Sequence, residues 1–82
     1  MIAFLHGTLA SKDVNHVIID VHGVGYLLEI PPGSEHKLPE VGSEIKFYTH
    51  YHIREKEVKL YGFWSRDELA VFTIAITVKG IG

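Results

Sequence analysis

Short runs of apolar and polar residues alternate over the first sixty positions, and Gly and Pro separate the runs. The pattern predicts five β-strands, at residues 2–10, 16–21, 24–30, 45–53 and 57–63. One longer connection, between the third and fourth strands, has room for a single helical turn at most. Five strands with one long connection favour a small, closed or nearly closed barrel of the OB type.

Two glycines within the strand region carry local predictions. Gly23 follows His22 between the second and third strands, and a glycine there supplies the positive φ that a tight hairpin requires. Gly7 interrupts the first strand, where it predicts a bulge or a bend.

Helix signals begin only after Phe63. Ser65 and Glu68 have the spacing of a capping box, in which each side chain can bond the other's backbone amide. Apolar residues then occur on almost every side of the predicted helix: Leu69, Val71, Phe72, Ile74, Ile76 and Val78. Such a helix needs cover on several sides. The β-branched residues leave a strand as the alternative, but the cap and the Gly80 stop favour the helix.

Composition narrows the function classes. The 82 residues suit one small domain, and eight basic against ten acidic side chains give a net charge of −2. Bulk electrostatic attraction therefore cannot be the source of any affinity for DNA. The chain has no Cys, no secretory leader and no apolar run long enough to span a membrane, so we expect a cytoplasmic protein.

The histidines offer the only candidate for metal chemistry. His50 and His52 alternate along a predicted strand, so both side chains point to one face and could chelate a metal ion. No spaced third ligand accompanies them, and there is no nucleophile motif, P-loop or dinucleotide fingerprint. We therefore predict no catalytic residues, no metal and no cofactor, and we keep a His50–His52 metalloenzyme as a rival hypothesis.

Two further features could contact nucleic acid. The aromatic residues could stack on single-stranded bases, although core packing explains most of them: Tyr26, Phe47, Tyr48, Tyr51, Tyr61, Phe63 and Trp64. Trp64, beside the helix cap, is better explained as a bridge between barrel and helix. After the helix, Lys79, Gly80, Ile81 and Gly82 can form a tight loop whose bare amides approach a phosphate, or simply a glycine cap.

Residues 54–57, Arg-Glu-Lys-Glu, form a charged turn between the last two strands. Turn tips are usually polar because they are solvated, so an ordinary surface turn is the simplest interpretation. Carboxylates at a projecting tip would repel phosphates, which suits a DNA-binding protein only if repulsion is useful.

Taken together, these stretches resemble the amino-terminal part of the RuvA family, which binds Holliday junctions in the bacterial RuvAB branch-migration machine. The resemblance runs end to end and is carried by "GTLASK", "VIIDVHGVGYLLEIP", "LPEVG", "YTHYHIRE", "LYGF" and "VKGIG". The two most specific parts are D-V-x-G-V-G-Y and T-H-x-x-x-R-E followed by L-Y-G-F. The family continues beyond this segment, through tandem helix-hairpin-helix motifs and a mobile domain that engages the RuvB ATPase.

The resemblance implies a mainly β fold: an OB-fold domain at residues 1–63, then residues 64–82 as the start of a truncated helix-hairpin-helix domain. It implies a homotetramer that receives a four-way junction, in DNA recombination and repair, without catalytic activity of its own. Glu55, Lys56 and Glu57 would form the pin at the junction centre, and residues 79–82 would hold DNA phosphates. Two departures stand out: Lys56 replaces the usual second acid, and the opening lacks the family's usual Arg.

The alternative function is a generic OB-fold module that binds single-stranded nucleic acid. Such a module would show salt-sensitive affinity that falls when surface aromatic residues are replaced.

Overall fold

The computed structural model describes residues 1–78, which fold into five strands, one short 3-10 helix and one α-helix. The elements are β1 (Phe4–Lys12), β2 (His16–Val21), β3 (Val24–Glu29), the 3-10 helix (Ser34–Lys37), β4 (Glu44–Arg54), β5 (Glu57–Phe63) and α1 (Arg66–Val78).

The five strands close into a barrel in the order β1-β2-β3-β5-β4. Four of the five neighbouring pairs are antiparallel, and β3 and β5 are parallel, with Glu29 opposite Tyr61 as their one registered pair. The long connection that contains the 3-10 helix lies between β3 and β4. The predicted five-stranded OB-type barrel is therefore confirmed.

The barrel interior is a packed core. Strand alternation sends every second side chain inward, and the buried apolar residues are Leu5, Leu9, Val17, Ile19, Leu28, Ile30, Ile45, Phe47 and Phe63. Full burial of such a side chain contributes roughly 1.5–3 kcal/mol relative to exposure. Since side chains fill the interior, candidate functional groups must be sought on the outer surface and at the turns.

β1 differs from its prediction at both ends of its course. It extends to Lys12, and the bulge falls between Leu9 and Ser11 rather than at Gly7. Gly7 is needed for another reason: a Cβ atom there would overlap the backbone carbonyl oxygen of Asp20 on β2. The predicted bulge at Gly7 is thus wrong, because a close approach between two strands, and not an irregular register, requires the glycine.

The helix after the barrel is confirmed, and the strand alternative is wrong. The Ser65 hydroxyl accepts a hydrogen bond from the Glu68 amide at 3.2 Å, as the capping box predicts. The Glu68 side chain accepts from the Trp64 amide at 2.9 Å, one residue before the amide that the box usually engages. Val71 and Ile74 remain 68% and 63% exposed, so within residues 1–78 the barrel covers one side of α1.

Candidate functional site

The hairpin of β4 and β5 extends beyond the barrel. β4 pairs with β1 only from Glu44 to Tyr48, and β5 meets β3 at Tyr61. Beyond those contacts, residues 51–54 and 57–60 pair only with each other. The outer half of the hairpin is therefore a two-stranded ribbon that projects from the barrel wall, which we call the ribbon (residues 51–60).

The predicted pin residues lie at the end of the ribbon. Arg54 and Glu57 form its last strand pair, and Glu55 with Lys56 are the two turn residues between them. All four side chains are exposed, and their formal charges cancel. Glu55 and Lys56 thus occupy the apex, whereas Glu57 lies in the strand opposite Arg54.

Arg54 is directed towards the base of the hairpin. Its Nε atom donates a hydrogen bond of 2.9 Å to Nε2 of His52, two residues nearer the barrel. This bond draws the guanidinium away from the apex, so the positive charge at the apex belongs to Lys56. Sequence analysis missed this pair because the i to i+2 contact becomes apparent only once both residues share one face of a strand.

One face of the ribbon is apolar and exposed. Ile53 and Val58 are directly opposite each other and are 60% and 57% exposed. They continue the row that farther down the strands points into the barrel. The ribbon therefore has an apolar face and a polar face beneath a charged tip.

Helix α1 is anchored on the base of the same hairpin. The ring of Phe72 lies 5.4 Å from that of His50 and 5.0 Å from those of Tyr61 and Phe63. Aromatic pairs at such distances add to the stabilisation from burial. The orientation of the helix and that of the ribbon are consequently coupled through these rings.

The two strand histidines do not form a metal site. Their rings lie 5.6 Å apart, and Nε2 of the buried His52 is already engaged as an acceptor for Arg54. Among residues 1–78 no group of three or more possible ligands gathers. Burial, and then the nearby His52, lowers the pKa of His50. The rival metalloenzyme hypothesis therefore loses its geometric basis.

Glu29 is the main acid where β3 meets β5. Its Oε1 atom lies 3.6 Å from Nζ of Lys59 and 3.7 Å from Nε2 of His16. Burial, and then the charge of Glu29, raises the pKa of Tyr61. A phenol whose pKa is raised stays protonated at neutral pH, so this cluster holds the strands together and does not supply a general base.

The aromatic residues are divided between core and surface. Phe47 and Phe63 are buried, and the Trp64 ring packs 5.0 Å from Phe47 where barrel and helix meet. The outer face of β2 and β3, a common nucleic-acid surface of OB folds, carries Ile18, Asp20, Gly25 and Leu27 but no aromatic side chain in the described chain. A generic single-strand-binding module is therefore not favoured.

Residues 79–82, the predicted phosphate-binding loop, lie outside the described residues, and the prediction stays open. Within residues 1–78 no helix is both long and apolar enough to cross a bilayer.

A closed five-stranded barrel with a projecting, charge-tipped hairpin and a helix on its base defines an OB-fold domain of specialised form. The chain belongs to the RuvA N-terminal domain family, whose model matches residues 1–62. This finding confirms the resemblance seen in the sequence.

Curated relatives match along the whole chain. Each is a Holliday junction branch migration complex subunit RuvA: the protein of Chlorobaculum tepidum is 38% identical, and those of Protochlamydia amoebophila and Magnetococcus marinus are 46% identical. All three alignments cover 100% of this chain but only 40–41% of the relative. The chain thus spans about two fifths of the length of these proteins.

Proposed function

We propose that this chain is the amino-terminal part of a RuvA-type subunit that binds four-way junction DNA for branch migration in recombination and repair. Residues 1–63 form its OB-fold domain, and residues 64–82 open a helix-hairpin-helix domain that a longer chain completes. The whole subunit forms a homotetramer and positions a RuvB-type ATPase without being an enzyme itself. A cytoplasmic location remains a prediction from the sequence.

The observation that carries this proposal is the ribbon, because residues 51–60 pair only with each other and end in a charged apex. Four such ribbons around a four-fold axis would meet at the centre of a junction. A two-stranded ribbon there separates the arms sterically. Glu55 repels any phosphate that approaches the apex, by about 1 kcal/mol for unit charges 4 Å apart in water.

The charge pattern divides affinity from selectivity. Lys56 offsets part of the repulsion by Glu55, whereas the bond of Arg54 to His52 keeps a second cation from the apex. Affinity for the DNA backbone would come from other elements, among them the loop at Lys79 to Gly82, whose amides suit a phosphate. The acidic net charge of the chain is compatible with such a division.

The test is the double replacement Glu55→Gln/Glu57→Gln in the full-length protein. Its affinity for linear duplex should rise, and its preference for a junction over a duplex should fall several-fold, measured by gel shift at fixed salt. Lys56→Asp should change the preference in the opposite direction, because it adds the missing acid.

A matched control is Asp13→Asn/Glu40→Gln, which removes the same charge from exposed loop positions outside the hairpin. This control should leave the preference unchanged. A junction preference that is equal in the wild type and in both apex variants would refute the role of Glu55, Lys56 and Glu57.

A further inference from the structure

Two cations and two aromatic rings cluster on the outer face of the barrel, far along β4 from the apex. Phe4 on β1 lies directly opposite Tyr48 on β4. Nζ of Lys46 lies 4.5 Å from the Phe4 ring centre and 5.1 Å from that of Tyr48, and the guanidinium carbon of Arg66 lies 5.7 Å from the Tyr48 ring. We call these four residues the cation–aromatic surface.

No carboxylate neutralises these two cations. In the part of the chain that the structure describes, Lys37 and Lys59 pair with Glu68 and Glu29 at 3.5 and 3.6 Å, but Lys46 and Arg66 form no ion pair. Glu44, on the same face as Lys46, instead lies 3.5 Å from Nε2 of His6. The surface is therefore a local positive patch on a chain whose net charge is −2.

A cleft of about 330 Å³ opens beside this patch and contains no acid. Its lining residues are Ala3, Phe4, Tyr48, Arg66, Leu69 and Ala70. The two acids of the first turn of α1 are directed elsewhere: Glu68 accepts from the Trp64 amide and pairs with Lys37, and Asp67 lines a different cleft. An anionic strand could thus enter the cleft without meeting a carboxylate.

The rings restrict the cations without neutralising them. A Lys or Arg side chain that becomes fixed on binding loses up to about 2 kcal/mol of rotamer entropy, and packing over an aromatic face reduces that loss beforehand. The N–H groups of both cations remain available for anionic oxygens. Phe4, at 53% exposed, leaves room for an occupant beside them.

We propose that the cation–aromatic surface binds the phosphodiester backbone of DNA, with Lys46 and Arg66 each contacting a phosphate and Tyr48 holding both cations in place. This proposal rests on junction binding by the full-length protein. It adds a backbone contact on the barrel itself, away from the apex and from residues 79–82.

The test is Lys46→Gln/Arg66→Gln in the full-length protein, with junction affinity measured over a series of salt concentrations. Each lost phosphate contact on B-form DNA lowers the slope of log K against log salt by about 0.9, so the double variant should reduce the slope by roughly 2. Lys12→Gln/Lys37→Gln removes the same charge at exposed positions elsewhere and should leave the slope unchanged.

Replacement of Tyr48 by Leu separates positioning from charge. Both cations remain, so the salt slope should be kept, while affinity should fall about two- to fivefold because the cations lose their support. Junction, linear duplex and single-stranded oligonucleotides should each be assayed, since all three carry the same backbone. A slope change shared by duplex and junction places the contact on a duplex arm, and one confined to single strands places it on unpaired DNA.

Three results would overturn the proposal. The slope of Lys46→Gln/Arg66→Gln could equal that of the wild type, both double variants could change it equally, or light scattering could reveal that the variant no longer assembles. The last result would make the surface a subunit contact. If the wild type itself failed to prefer junctions over duplex, the proposed function would fail first, independently of this surface.

Discussion

The two antiparallel hairpins that flank β3 and β5 both turn through two residues, but their turns differ in how they are held. Between β2 and β3, His22 and Gly23 both have positive φ, 53° and 89°, and the Gly23 amide donates to Oδ1 of Asp20 at 2.8 Å. Positive φ at both positions characterises the type I′ turn, which matches the twist of the strands. Between β4 and β5, neither Glu55 nor Lys56 has positive φ.

The strands beneath the turns differ as well. β2 lies between two strands over most of its length, because β1 pairs with it from Thr8 to Lys12. The ribbon has no neighbour beyond its own two strands. One hairpin is thus fixed by backbone conformation and by close packing, whereas the other presents side chains that the fold does not need. Charge can vary at the second apex with little effect on folding, which is what a functional site requires.

The largest expected effect breaks the packed hairpin. Gly7→Ala should destabilise the fold by about 3 kcal/mol, since its new methyl group would overlap the Asp20 carbonyl oxygen and press on Val21 next to the β2–β3 turn. Urea denaturation monitored by Trp64 fluorescence would measure this change.

Gly25→Ala is the matched control for that substitution. A Cβ atom at Gly25 would meet only a methyl group of Ile18, at 3.4 Å. We expect a change within about 0.5 kcal/mol of the wild type, as for most surface substitutions. Equal destabilisation by both variants would contradict the importance of the close approach at Gly7.

An intermediate effect comes from comparing the second residue of each turn. Gly23→Ala forces a side chain into the left-handed region and should lower the free energy of unfolding by about 1–2 kcal/mol. Lys56→Ala, at the equivalent position of the other turn, should change it by at most about 0.5 kcal/mol. If the two variants proved equally stable by urea denaturation, the claimed difference between the turns would be mistaken.

The smallest effect concerns pH at the base of the ribbon. The pKa of His50 is lower in the folded chain than the ordinary value of about 6.5. The unfolded chain therefore binds more protons as pH falls through 6.5, so the free energy of unfolding should decrease there and level off below the folded pKa. His50→Gln should reduce this dependence in urea titrations between pH 7.5 and 5.

His36→Gln provides the control, because that side chain is 84% exposed. It should leave the pH dependence of stability close to that of the wild type. An unchanged pH profile in His50→Gln would contradict the contribution of the buried ring beneath Phe72.

Much of the fold could be predicted from local signals. β2 and β5 have their predicted bounds, the His22-Gly23 hairpin forms as expected, and Ser65 caps α1. Each depends on neighbours within a few residues: alternation, a required positive φ, a side chain that reaches a nearby amide. Gly7 was misinterpreted because the atom that demands a glycine belongs to Asp20, on another strand.

The candidate site was predictable in part, and the order of residues explains which part. Residues 54–57 identified themselves as a charged turn, and the family resemblance gave them a role. The cation–aromatic surface was not predicted, because Phe4, Lys46 and Arg66 are distant in the chain and meet only around the ring of Tyr48.

The sequence by itself determined the strands, the capped helix, the charged apex and the family, because these depend on periodicity, turn chemistry and short motifs. The tertiary structure alone decided that residues 51–60 leave the barrel, that Arg54 turns back to His52, and that two cations share one aromatic ring. Barrel closure brings distant strands together at fixed register, and no local pattern contains that register.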